Sequence, residues 1–219
     1  MTVPKAFLFD LNGTMIDDMG YHQKAWYEIL NNDLHAGLSS EAVKKEMYGK
    51  NSELLVRIFG EGRFTNEEMD KWSFEKERRY QQAYLPELRL IDGLDAFLAH
   101  AKKKGTLLAI GSAAINFNID FVLDNLGIRH YFSAIVSADD VTISKPHPET
   151  YLKLAEVLKV KPAECLVFED APKGVEAAAN AGMQSVVITT MHEANEFTAY
   201  KNIWGYIKNY NDRRLDDLF

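Results

Sequence analysis

The chain has one cysteine, Cys165, in 219 residues. No internal disulfide can form, and no cysteine-based metal cluster. Positive charge is also scarce: 25 Lys and Arg stand against 32 Asp and Glu, a formal charge of −7. Sequence-independent nucleic-acid binding, which rests on clustered cations, is excluded on that ground. The one tight basic run, Lys102-Lys103-Lys104, precedes Gly105 and suits the C-terminal end of a helix, where cations oppose the helix dipole. No apolar run is long enough to span a bilayer. The chain opens on a strand-like pattern, without a charged n-region, apolar h-region or cleavage site. The expectation is therefore a cytoplasmic, monomeric protein with neither a nucleic-acid nor a membrane partner. Repeats and low-complexity tracts are missing as well.

What the chain does have is apolar content, 47%, enough for a packed core, arranged in two textures. From about Met15 to Leu90 the pattern is helical throughout. Ala25, Trp26, Ile29 and Leu30 share one helical face, and Leu54, Leu55, Ile58 and Phe59 repeat that spacing. Thr65-Asn66-Glu67-Glu68 is a capping box that opens a helix running toward Tyr84. From about Ile91 helices alternate with short apolar strands: Thr106 to Gly111, Ala134 to Ser137, Cys165 to Phe168 and Ser185 to Ile188. A further strand is read at the start, from Val3 and Ala6 to Phe9. This alternation predicts an α/β fold, a Rossmann-like, mostly parallel sheet sandwiched by helices. The first strand is cut off from the others by the helical stretch. That implies an inserted all-helical domain over residues 16–90, with residues 1–15 and 91–219 forming the α/β core. Two adjacent connections make a hinge, and a hinged helical cap is a device for closing a site.

Four short segments carry chemistry. Phe9-Asp10-Leu11-Asn12-Gly13-Thr14 places a carboxylate where a buried strand meets a glycine turn, on the rim where open α/β sheets bind ligands. Ile110-Gly111-Ser112 ends another strand in a small residue and a hydroxyl. Ser112 Oγ and the backbone N–H groups around Ala113 are suited to a phosphate oxygen, although taken alone a serine there reads as an ordinary helix cap. Lys145-Pro146-His147-Pro148-Glu149 presents a lysine on a proline-stiffened loop. Such a lysine is a point charge for phosphate, while His147 lacks a second ligand at metal-binding spacing. Phe168-Glu169-Asp170 ends a strand in paired acids, which repel each other unless a cation or donor lies between them. Together they offer a nucleophile, a phosphate donor, a balancing cation and hard oxygen ligands for Mg²⁺.

In this order the segments resemble the four motifs of the haloacid dehalogenase superfamily, over essentially the whole chain. Asp10-Leu11-Asn12-Gly13-Thr14 matches the first motif, Ser112 the second, Lys145 the third and Glu169-Asp170 the fourth. The helical insertion is similar to that family's C1-type cap, and the chain most resembles its branch of β-phosphoglucomutases and sugar-phosphate phosphatases. The resemblance implies that Asp10 forms an aspartyl-phosphate. It implies Mg²⁺ held by Asp10, the Asn12 backbone carbonyl and Asp170 with Glu169 in support, and Ser112 and Lys145 on the transferring group. The partner it implies is a small phosphorylated metabolite, a sugar phosphate foremost. For substrate recognition it points to His22 and to the cap loop Gly49, Lys50 and Asn51, with Lys24, Arg78 and Arg79 as further polar cap residues.

Asn12 departs from the motif. The resemblance puts an aspartic acid there, which protonates the leaving oxygen and then deprotonates the acceptor. An amide does neither. Three accounts stand open: an Asp→Asn exchange that traps a complex, another proton carrier such as His22, or a non-catalytic protein that binds a phosphometabolite.

Overall fold

The computed structural model describes residues 3–219. Six parallel strands form one sheet: β1 (Ala6–Phe9), β2 (Leu107–Gly111), β3 (Ala134–Val136), β4 (Cys165–Glu169), β5 (Gln184–Ile188) and β6 (Ile203–Ile207). Their spatial order is β3-β2-β1-β4-β5-β6. From β1 the chain moves outward through β2 to β3, then returns to the other side of β1 with β4. β1 thus lies at the point where the strand order reverses, and the crevice beyond the carboxyl ends of strands at such a point is the natural ligand site of an open α/β sheet.

The sheet is covered because its strands are apolar on both faces, and alternate residues go to opposite sides. Ala6 and Leu8 join Ala109, Val167 and residues of α7 (Glu149–Leu158) and α8 (Pro172–Asn180) in one buried cluster. Phe7 and Phe9 point the other way. Phe9 stacks on Phe168 at 4.7 Å between ring centroids, and both meet Phe97 of α5 (Leu94–Lys103). Truncating one such phenylalanine to alanine costs about 3–5 kcal/mol. Phe9 and Phe168 immediately precede Asp10 and Glu169, so core packing fixes the two strand ends that carry the acids. The remaining core helix, α6 (Asn116–Leu126), buries Ile119, Val122 and Leu123 and ends at Gly127.

The expected strands β2 to β5 lie within one residue of their limits, whereas β1 is shorter than expected and one strand is added. Val3 lies outside β1 and is 62% exposed; the Pro4 that follows has no N–H for a ladder. β6 was not legible at all. Gly205 interrupts its apolar run, and an edge strand with only one neighbour is half-exposed, so neither period nor burial marks it.

The chain divides into two compact units, residues up to Asp17 with Arg89–Phe219, and Asp18–Leu88. Within the first unit, Ile91 N–H donates to the Met15 carbonyl at 2.9 Å, tying the two connecting segments side by side. The second unit is helical: α1 (Met19–Glu28) continued by a π turn at Ile29–Asp33, α2 (Ser40–Glu46), α3 (Asn51–Phe59) and α4 (Asn66–Tyr84). Trp26, Ile29, Leu30, Val43, Leu54 and Leu55 form its core. Thr65 and Glu68 make the capping box at the start of α4, with each side chain accepting the other's backbone N–H. Among the described residues no helix is long and apolar enough to cross a membrane.

Candidate active site

Asp10 follows β1 directly, its backbone N–H still bonded to the Phe168 carbonyl of β4 at 2.9 Å. The chain then turns at Gly13, whose φ is +72°. Only glycine suits this position. A Cβ there would stand 2.1 Å from an Asp170 carboxylate oxygen, so the missing side chain lets the β4 acid approach the β1 turn. Thr14 Oγ donates to Asp170 Oδ1 at 3.2 Å. Two hydroxyls brace the same turn: Thr190 donates to the Gly13 carbonyl at 2.6 Å and Tyr210 to the Thr14 carbonyl at 3.0 Å.

Lys145 brings the acids together. Its ammonium donates to Asp10 Oδ1 at 2.7 Å, to Glu169 Oε1 at 2.6 Å and to the Gly111 carbonyl at the end of β2 at 3.0 Å. All three protons of the ammonium are thereby used. Burial alone would weaken its charge, but Asp10 and Glu169 outweigh burial and hold the Lys145 pKa well above the ordinary lysine range. Asp170 shifts upward too, through burial first and then the nearby charges of Glu169 and Asp10. Oxygens of Asp10, Glu169 and Asp170 lie within 4.8 Å of one another, all in buried residues. An all-oxygen, carboxylate-rich set of this kind suits a hard divalent cation such as Mg²⁺.

Glu169 accepts from several donors at once. Besides Lys145, Tyr151 of α7 donates its phenol to Oε1 at 2.8 Å. The N–H groups of Asp170 and Ala171 reach Oε2 at 3.0 and 3.1 Å. Ser112 is buried next to β2, its Oγ accepting the Ala114 N–H at 3.1 Å, and Ala113 beside it is partly exposed. Asn12 is partly exposed on the turn and forms a backbone bridge with Ile16. Asp10, Asn12, Ser112, Lys145, Glu169 and Asp170 therefore all stand at or just beyond the carboxyl ends of β1, β2 and β4, or on the loop that reaches them. His147 is an exposed loop residue.

The polar residues read from the helical unit separate into two groups. His22 and Asn51 enter a buried cluster within that unit. Lys76 Nζ lies 2.6 Å from His22 Nδ1 and 2.9 Å from Glu77 Oε1, and Asn51 donates to the same Glu77 oxygen at 2.7 Å. His22 Nε2 is 3.2 Å from Asp18 Oδ2, which also accepts the Tyr80 hydroxyl at 2.5 Å. An ammonium donates and does not accept, so Nδ1 accepts from Lys76 and Nε2 carries the hydrogen shared with Asp18. Gly49 has φ +73°, and Lys50, partly exposed, uses its N–H on Glu53. Arg78 pairs with Glu75, and Arg79 with Glu75 and Asp33. Asp18, Lys76, Glu77 and Tyr80 escaped the sequence reading. The signal was present: Tyr80 and Tyr84 share an α4 face with Lys76 and Glu77 at i, i+3 and i+4 spacing, but adjacent charges in a Glu-Lys-Glu-Arg-Arg run read as solvated.

A parallel sheet with acids, a lysine and a hydroxyl converging on its switch point defines a class, and comparison with known proteins names it. Residues 4–182 match the family model of the haloacid dehalogenase-like hydrolases, and the chain belongs to that family. It is similar to a fructose-1-phosphate phosphatase of Escherichia coli K12, 33% identical over 185 residues that cover 82% of this chain and 93% of that protein. It is likewise similar to the β-phosphoglucomutase of Bacillus subtilis 168, 33% identical over 187 residues, covering 83% and 82%. A crystal structure of the β-phosphoglucomutase from Clostridium difficile superposes with a TM-score of 0.83 at 26% identity, over 98% of this chain and 96% of that one. With these relatives, the chain is an enzyme of the phosphatase or phosphomutase type.

Proposed function

We propose that this enzyme transfers the phosphoryl group of a small phosphorylated metabolite, a sugar phosphate foremost, through an aspartyl-phosphate on Asp10 with Mg²⁺ as cofactor. One observation carries the reading: the Lys145 ammonium bridges Asp10 and Glu169 at 2.7 and 2.6 Å beside Asp170, at the strand ends where the sheet order reverses. In the first step an Asp10 oxygen attacks phosphorus, the ester P–O bond breaks, and the leaving alkoxide takes a proton from solvent water, since the Asn12 amide has none to give. In the second, a water or sugar hydroxyl attacks the same phosphorus, the Asp10–phosphate bond breaks, and the attacking oxygen gives its proton to solvent. Such transfers need alignment and neutralised oxygen charge above all. Lys145, giving up its hydrogen bond to Asp10 as that oxygen attacks, and the Ser112 hydroxyl would bind the transferring oxygens. Asp10, the Asn12 backbone carbonyl and Asp170 would hold Mg²⁺, with Glu169 behind them. Bound there, the ion would offset the repulsion between carboxylate and phosphate.

The helical unit, residues 16–90 in this reading, acts as the cap that selects substrate. Within it Gly49 and Lys50 are stronger candidates to read a substrate than His22 or Asn51, whose side chain is held by Glu77. Both ring nitrogens of His22 already have partners in Lys76 and Asp18. The same engagement argues against His22 as a replacement proton carrier.

Asn12 favours one second reading, a protein that binds a phosphometabolite and does not turn it over. A panel of sugar phosphates, assayed on this chain and on Asn12→Asp, separates the two. General acid–base catalysis contributes about 10²–10⁴-fold, so the enzymatic reading expects a gain of at least about 100-fold on the right substrate, abolished by chelating the metal. Binding without turnover in both forms would establish the second reading.

A further inference from the structure

Within the phosphotransferase reading, on which this inference rests, Glu169 has more donors than a metal ligand needs. Each of its oxygens accepts two hydrogen bonds, from Lys145 and Tyr151 on Oε1 and from the Asp170 and Ala171 N–H groups on Oε2. Four donors fill the lone-pair directions of one carboxylate. The group is also wedged from behind. Gly174, in the first turn of α8, leaves the space the carboxylate occupies, and a Cβ there would stand 1.8 Å from Oε1 and 2.3 Å from Oε2. Tyr151 closes the other side. It is fully buried, its hydroxyl bonds Glu169, and its ring lies 4.8 Å from the Lys145 ammonium.

We infer that Tyr151 is a positioning residue: with Gly174 it clamps Glu169 as the bracket that aims Lys145 at Asp10, while the metal rests on Asp10, the Asn12 carbonyl and Asp170. Sequence gives each member a place. Lys145 arrives on the loop before α7, Tyr151 sits in the first turns of that helix, and Glu169 and Gly174 flank the start of α8. Losing the phenol removes one charge-assisted donor and frees the carboxylate to rotate. Lys145 then follows it, and the phosphate site suffers before the metal site does.

The test uses Tyr151→Phe and Gly174→Ala in the full chain, with circular dichroism to establish that each folds. Mg²⁺ alone is titrated by calorimetry, and inorganic phosphate by ³¹P NMR at saturating Mg²⁺. Both variants are expected to weaken phosphate about 10-fold or more, the scale of a hydrogen bond to a charged group. Mg²⁺ affinity is expected to stay within about 2-fold, because no proposed ligand is touched. Equal weakening of Mg²⁺ and phosphate would make Glu169 a metal ligand and overturn the inference. Unchanged phosphate binding would reduce Tyr151 to packing and overturn it as well. Failure of the functional reading looks different: the parent itself would bind no phosphate, or Lys145→Met would bind it as well as the parent does.

Discussion

The molecule holds two buried polar clusters of similar make-up and opposite character. At the sheet rim three carboxylates, Asp10, Glu169 and Asp170, meet the Lys145 ammonium, and negative charge is left in excess. In the helical unit only two carboxylates, Asp18 and Glu77, meet the Lys76 ammonium, neutral His22, Tyr80 and Asn51, so the excess is smaller and each carboxylate has two donors facing it. The pKa directions tell them apart. At the rim, burial and neighbouring carboxylates push Asp170 up. In the helical unit burial also acts to raise Glu77, but the Lys76 ammonium and the Asn51 hydrogen bond act against it, and that carboxyl is held below the usual range. The larger deficit of positive charge at the rim suits a cation. The smaller one in the helical unit, met by paired donors, suits a cluster that holds its own fold together.

The largest test of that contrast is Lys76→Met. Removing one partner of a buried ion pair leaves the other charge uncompensated and costs about 3–5 kcal/mol. Denaturant unfolding of the variant should lose stability on that scale, whereas Mg²⁺ binding at the rim stays intact. A variant as stable as the parent would mean that Lys76 does not compensate the buried Glu77 carboxylate.

Asp170→Asn should move stability the other way. Deleting a charge from the carboxylate-rich rim relieves repulsion, and an amide oxygen can still accept the Thr14 hydroxyl. Relief of about 1 kcal/mol raises Tm by roughly 2–4 °C for a chain of this length. Calorimetry in chelator should show the gain, and added Mg²⁺ should reverse the order, since the parent gains a bound ion and the variant does not. A lower Tm for the variant in chelator would break the comparison, because Asp170 would then be stabilised by its surroundings.

The rim was legible in the sequence because its parts are local. Asp10, Ser112 and the Glu169-Asp170 pair each end an apolar strand, and Lys145 is marked by the prolines after it. Strand ends of one parallel sheet share a rim, so no tertiary information was needed to bring them together. The supports were not legible for the opposite reason. Tyr151 reads as an ordinary core residue of α7, and only the fold brings its hydroxyl to Glu169. Thr190 and Tyr210 brace a turn some 180 and 200 residues away in sequence. Lys76 and Glu77 look solvated because burial of a charge depends on partners, His22, Asn51 and Asp18, that come from other helices. β6 escaped because Gly205 breaks its pattern on an exposed edge.

The smallest effect is a pH dependence, and it separates the clusters once more. Glu77 has a folded pKa below its ordinary value of 4.5, so the folded state binds its proton less readily than the unfolded chain does. The stability it contributes is therefore present above pH 4.5 and is lost as pH falls through the folded value. Denaturant unfolding between neutral pH and about pH 3 should show a steeper loss for the parent than for Glu77→Gln, which has no proton to gain there. Asp170 bears on the same curve with reversed sign: its raised pKa favours the folded state as the carboxyl takes up its proton. Asp170→Asn should accordingly steepen the acid loss that Glu77→Gln flattens. If both substitutions moved the curve in the same direction, the two clusters would not differ in charge balance, and the case for a cation at the rim would rest on geometry alone.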